Sequence, residues 1–139
     1  MKSSILLPTV ALAGWSMVMW VWMYATRIPY IVKTRMKLDP QAPRGEQMST
    51  LPSEIRWKAD NYNHLMEQPT SFYAVVLALA VMGEGEGLNA TLAWVYLGIR
   101  IVHSFVQAVT NNINQRFVLF SLSSLVLCWL VVNALMALL

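Results

Sequence analysis

The chain is short of charge. Only 12% of its 139 residues are Asp, Glu, Lys or Arg, and 57% are hydrophobic, whereas soluble domains carry about 25% charged residues. That balance excludes a soluble globular domain and a disordered chain alike. Cysteine is almost absent: Cys128 stands alone in an apolar run, so no intramolecular disulfide can form and no cysteine-spaced metal site exists. Histidine occurs twice, at His64 and His103. Two imidazoles on separate helices, even with Glu67 added, are a poor donor set, so no metal is expected. Acids are outnumbered, 7 to 10. The bases gather in one loop with no base-reading element beside them, which bears on membrane orientation and sets nucleic acid aside as a partner.

What the chain has instead is long apolar runs. Ile5 to Thr26 carries no charge and exceeds the roughly 20 residues that a bilayer core requires. Trp15, Trp20, Trp22 and Tyr24 gather toward its end, as aromatic rings do at a membrane interface. The run is longer than the ~7–15-residue core of a secretory signal and has no small-x-small cleavage site at its end. Two further runs, Leu88 to Thr110 and Phe117 to Leu139, are separated by the polar NNINQR segment. The pattern predicts an all-α membrane protein, a single domain over 1–139 forming a four-transmembrane-helix bundle with helices at about 5–26, 54–82, 88–110 and 116–139.

The second of these is the unusual one. From Pro69 to Met82 the apolar part spans only 14 residues, too few to cross alone, so the missing turns must come from the polar stretch before it. Read as one helix over 54–82, with Thr50 or Ser53 as its cap and Glu54 in its first turn, it carries Arg56, Asp60, Asn63 and Glu67 on one stripe. The Pro-, Ser- and Gly-rich residues before it read as irregular connection, and GEGEG at 83–87 as a tight turn. Arg27, Lys33, Arg35, Lys37, Arg44, Arg56 and Lys58 surround the first loop. Short basic loops stay cytoplasmic, which puts both termini on the other side.

A second polar stripe, Arg100, His103 and Gln107, lies at i, i+3 and i+7 of the third span. An arginine so deep needs a partner. Helical rise places Glu67 within roughly 4–5 Å of its depth, so an ion pair is expected. Such a pair could serve only to join two helices. Asn63, His64, Glu67, Arg100, His103, Gln107 and Arg116, however, all fall in the same half of the membrane, more polar groups than joining requires, and read as lining a pocket.

At these residues the chain resembles the MAPEG family, the membrane-associated proteins in eicosanoid and glutathione metabolism, in a bacterial-type form. NYNHLMEQP followed by an apolar run is similar to that family's second-helix signature, and the resemblance covers nearly the whole length. The family's second-helix glutamate falls on Glu67 and its arginines on Arg100 and Arg116. His64 stands where the family has asparagine, with Asn63 one place away, and His103 and Gln107 stand at positions of third-helix tyrosines. The resemblance implies a homotrimer, probably located by type in a bacterial inner membrane, with glutathione as co-substrate between subunits near the cytoplasmic face. It implies a glutathione-dependent transferase or peroxidase acting on lipophilic electrophiles, with a non-catalytic binding or regulatory protein as the alternative. Asn63, His64, Glu67, Arg100, His103 and Gln107 would bind glutathione, and Arg116 would face its sulfur, where a cation favours thiolate.

Overall fold

A computed structural model describes residues 3–139, and every regular element among them is helical. The chain runs through α1 (Leu6–Thr34), a single turn α2 (Glu46–Ser49), α3 (Ser53–Leu65), α4 (Pro69–Val81), α5 (Gly87–Phe105) continued by a π-helical turn (Val106–Thr110), and α6 (Ile113–Leu138). Three helical stretches are long and apolar enough to cross a membrane: Leu6–Thr34, Gly87–Thr110 and Ile113–Leu138. The first runs beyond the expected Thr26 and ends where Arg35 turns left-handed and its N–H reaches the Val32 carbonyl. A helix satisfies its own backbone, so α1 has no reason to stop where the apolar run does.

The expected single helix over 54–82 is corrected. It breaks at Met66–Gln68, leaving α3 and α4 at 13 residues each. Pro69 is the cause: it has no N–H, and its ring collides with the carbonyl four residues earlier. Around the break the backbone bonds tighten to i→i−3, with Met66 N–H to the Asn63 carbonyl at 2.9 Å and Thr70 N–H to that of Glu67 at 3.2 Å. Nor does a side chain cap α3. Pro52 precedes it, Thr50 bonds back to the Gln47 carbonyl, and Ser53 receives Arg56 instead.

Helix α5 is the centre of the packing, lying against α6 and α1, while α3 lies against α1 and the π-turn and α4 against α6 and α1. Leu12, Met19, Phe72, Val76, Leu79, Tyr96 and Leu130 form the shared core, where the Phe72 and Tyr96 rings stack at 4.3 Å. Apolar side chains such as Leu7, Val18, Trp94, Val102, Leu125 and Trp129 are exposed around the outside, the arrangement of a protein surrounded by lipid.

The chain start, the GEGEG turn and the end of α6 lie together at one end. Ile5 N–H reaches the Gly85 carbonyl at 3.0 Å, Ser4 N–H and hydroxyl both donate to the Glu86 carboxylate, and Asn133 Nδ2 donates to Asn89 Oδ1 at 2.7 Å. Gly85 must be glycine, since a Cβ there would collide with the side chains of Ser3 and Ile5. Gly83, with φ of 81°, closes α4 in a conformation that side chains disfavour. The first loop and the turn at Asn111–Asn112 lie at the opposite end, and the polar residues of α3 and α5 belong to that half.

Candidate functional site

Three helices converge on a polar pocket in the half of the molecule that holds the first loop. His64 comes from the last turn of α3, His103 from α5, and Arg116 from the first turn of α6, and with Ile113, Phe117 and Phe120 they line a cavity of about 400 Å³. Residues 113, 116, 117 and 120 share one face of α6 because they recur at helical spacing. Arg100, one turn from His103 on α5, lies behind the pocket and is completely buried.

The break in the second segment determines how these groups meet. With the helix ended, the His64 carbonyl is left to a weak 3.4 Å contact with Glu67 N–H, and Arg100 Nη2 donates to it at 3.1 Å. The same Nη2 lies 2.9 Å from His64 Nδ1. A guanidinium can only donate. Nδ1 is therefore the bare, accepting nitrogen, and the proton of neutral His64 is on Nε2. The two imidazoles stack at 4.8 Å and 14°, and the Phe120 ring meets His64 edge-on at 5.4 Å. Gln68, inside the break, donates to Ser124 at 2.7 Å and accepts from Tyr96 at 3.3 Å, tying the joint to α6 and α5.

Arg116 is positioned separately. Its Nη1 donates to Asn111 Oδ1 at 2.6 Å, and Asn111 closes the π-turn at φ 50°, its N–H reaching back five residues to the Val106 carbonyl. Asparagine is one of the few side chains that tolerate this left-handed conformation.

Several donors have no partner. Arg100 Nε and Nη1, His103 Nδ1 and Arg116 Nε are buried and bond to nothing in the protein. Unpaired buried polar groups are costly, so a cluster of them beside a cavity is chemically set for an acceptor-rich ligand.

The expected site residues divide into two sets. His64, His103 and Arg116 meet at the pocket with Arg100 behind them, whereas Gln107 is buried in the π-turn and accepts from Asn61 Nδ2 at 3.0 Å, joining α5 to α3. Asn63 and Glu67 are exposed on another face. The expected Glu67–Arg100 ion pair does not form, because the helical count that placed Glu67 at the depth of Arg100 assumed a continuous helix. The break directs the arginine to His64 instead.

Sequence reasoning missed Asn61, Asn111, Ile113, Phe117 and Phe120. The interval from Asn61 to His64 and Leu65, i to i+3 and i+4, was the available signal for an inward face on α3.

These features define a helical membrane protein with a basic pocket among its helices. The model of the MAPEG family matches residues 5–136, nearly the whole chain. The chain belongs to that family and is an integral membrane protein, a membership that points to a glutathione-related membrane function in general. No curated protein and no solved structure matches it significantly.

Proposed function

We propose that the protein is a glutathione-dependent membrane transferase or peroxidase acting on lipophilic electrophiles. The observation that carries this reading is the cavity lined by His64, His103 and Arg116, with apolar walls of Phe117 and Phe120 and the unused donors of Arg100 behind it. Glutathione presents two carboxylates, an amine and a thiol. Its carboxylates suit the guanidinium donors, and the phenyl walls suit a lipophilic second substrate. Arg116 at the sulfur lowers the thiol pKa from about 8.5 and raises the thiolate fraction at neutral pH. That thiolate attacks an electrophilic carbon to form a thioether, or a peroxide oxygen to form a sulfenate that a second glutathione reduces.

Within one copy Glu67 and Asn63 lie apart from this pocket. A homotrimer in which they complete the pocket of the adjacent copy brings an acceptor to the amine and covers an exposed polar stripe that lipid does not tolerate. On this reading the broken α3–α4 segment is the second of four crossings. The basic first loop is then cytoplasmic and both termini non-cytoplasmic, in a bacterial inner membrane.

The test is turnover. Purified protein with glutathione and either an aryl halide or a lipid hydroperoxide should yield a conjugate or consume the peroxide, and Arg116→Ala should lower the rate by about 10²-fold or more, as loss of a charge-stabilising donor does. No product with either class of electrophile would refute the enzymatic reading and favour the non-catalytic one.

A further inference from the structure

A second cavity, of about 220 Å³, lies where the end of α1, α2 and α3 meet, lined by Arg27, Gly45, Met48, Ser49, Arg56, Ala59, Asp60 and Asn63. It is well above the roughly 10–15 Å³ that one water needs. None of its lining residues belongs to the pocket of His64, His103 and Arg116.

Two arginines from different helices enter it. The Nε atoms of Arg27 and Arg56 are both buried and without a hydrogen-bond partner, and the one side-chain bond of Arg56 is a long 3.3 Å contact to Ser53. Asp60, also in the wall, pairs with neither. Two cations and one anion, held apart around a space, match a ligand whose acidic group is next to an ammonium.

The depth of the cavity agrees. Arg27 lies 21 residues beyond Leu6 in α1, or about 32 Å along the axis. That is close to the roughly 30 Å hydrocarbon thickness, so the guanidinium sits at the headgroup level.

We propose that this cavity is a second binding site, for a zwitterion in which a phosphate or carboxylate bonds Arg27 and Arg56 while a primary ammonium bonds Asp60. The loop helix α2 forms its cover. The source is a phospholipid headgroup or a small soluble zwitterion, and the site stands whether or not the other pocket takes glutathione.

The test uses the full-length protein in nanodiscs, with bound molecules counted by native mass spectrometry. Probes are phosphatidylethanolamine, phosphatidylcholine and phosphatidylglycerol in the disc, and O-phosphoethanolamine in solution. Wild-type protein should retain an ethanolamine-bearing probe over the choline and glycerol lipids; retention from the disc alone identifies a lipid site, and retention from solution a soluble ligand. The R27Q/R56Q double variant should lose roughly tenfold or more in affinity. Asp60→Asn, which keeps shape, should abolish the preference for ammonium while sparing the phosphate contact, and Arg116→Ala should change nothing. Equal retention by wild type and R27Q/R56Q, an unchanged preference in Asp60→Asn, or an equal loss in Arg116→Ala would overturn the proposal.

Discussion

Arg100 and Arg116 look alike in the sequence, yet their surroundings give them different consequences when replaced. An Arg100 paired with Glu67 would strand a buried charge on removal and cost about 3–5 kcal/mol. With the pair absent, two opposing effects remain. Arg100→Met loses the bonds to His64, each worth about 1.5–3 kcal/mol for a charged donor, and is relieved of a deep arginine that costs about 2.5–3.5 kcal/mol to insert. The two nearly cancel, so unfolding in a fixed detergent should show a loss no greater than about 2 kcal/mol, while glutathione affinity falls. A loss of 3–5 kcal/mol would restore the ion pair. For Arg116 the informative neighbour is Asn111. Asn111→Gly keeps the left-handed backbone and removes the anchor, so thermal stability should stay near wild type while thiolate formation weakens. Asn111→Ala should in addition cost about 1–2 kcal/mol of strain. Equal thiolate yields in Asn111→Gly and wild type would show that Asn111 does not position Arg116.

Among the elements, the joint between α3 and α4 and the clasp of the chain start have separable tests. Pro69→Ala should let the helix continue, giving the His64 carbonyl an ordinary partner in the Gln68 N–H. Arg100 then loses its acceptor and Gln68 its bonds to Ser124 and Tyr96. Amide exchange at residues 66–70 should slow and glutathione binding weaken; unchanged binding with slowed exchange would show that the break does not serve the site. The clasp depends on Glu86, whose carboxyl the Ser4 hydroxyl and N–H hold below its ordinary value. A depressed folded pKa contributes stability above the unfolded value of about 4.3 and loses it as pH falls through the folded one. Exchange at Ser4 should therefore quicken as the solution is acidified below pH ~4, and Glu86→Gln should show no such dependence. The apolar runs at α1, α5 and α6 were legible in the sequence because hydrocarbon demands a simple composition. The break was not, because apolar periodicity continues across Pro69 and masks its effect. The π-turn was equally hidden. Its extra residue per turn leaves no period, and with it the Asn61–Gln107 and Asn111–Arg116 partnerships were lost from view.

For the whole molecule, the candidate pocket was half readable. His64, His103, Arg100 and Arg116 were recognised as one group because burying polar residues in an apolar chain is conspicuous, whereas Asn63 and Glu67 were placed with them on a helix that does not run straight. Their exposure on a single copy supports the trimer proposal, for which mass measured in detergent or nanodiscs should correspond to three chains; a monomer at every concentration would contradict it. The central claim is that this membrane protein holds glutathione with its sulfur against Arg116. Titrating purified protein with glutathione and following thiolate absorbance near neutral pH tests it most directly. Saturable thiolate should appear in the wild type, and in Arg116→Ala the thiolate should vanish while some glutathione still binds, since only the charged sulfur loses its stabiliser. Absence of both binding and thiolate in the wild type, or undiminished thiolate in Arg116→Ala, would contradict the account.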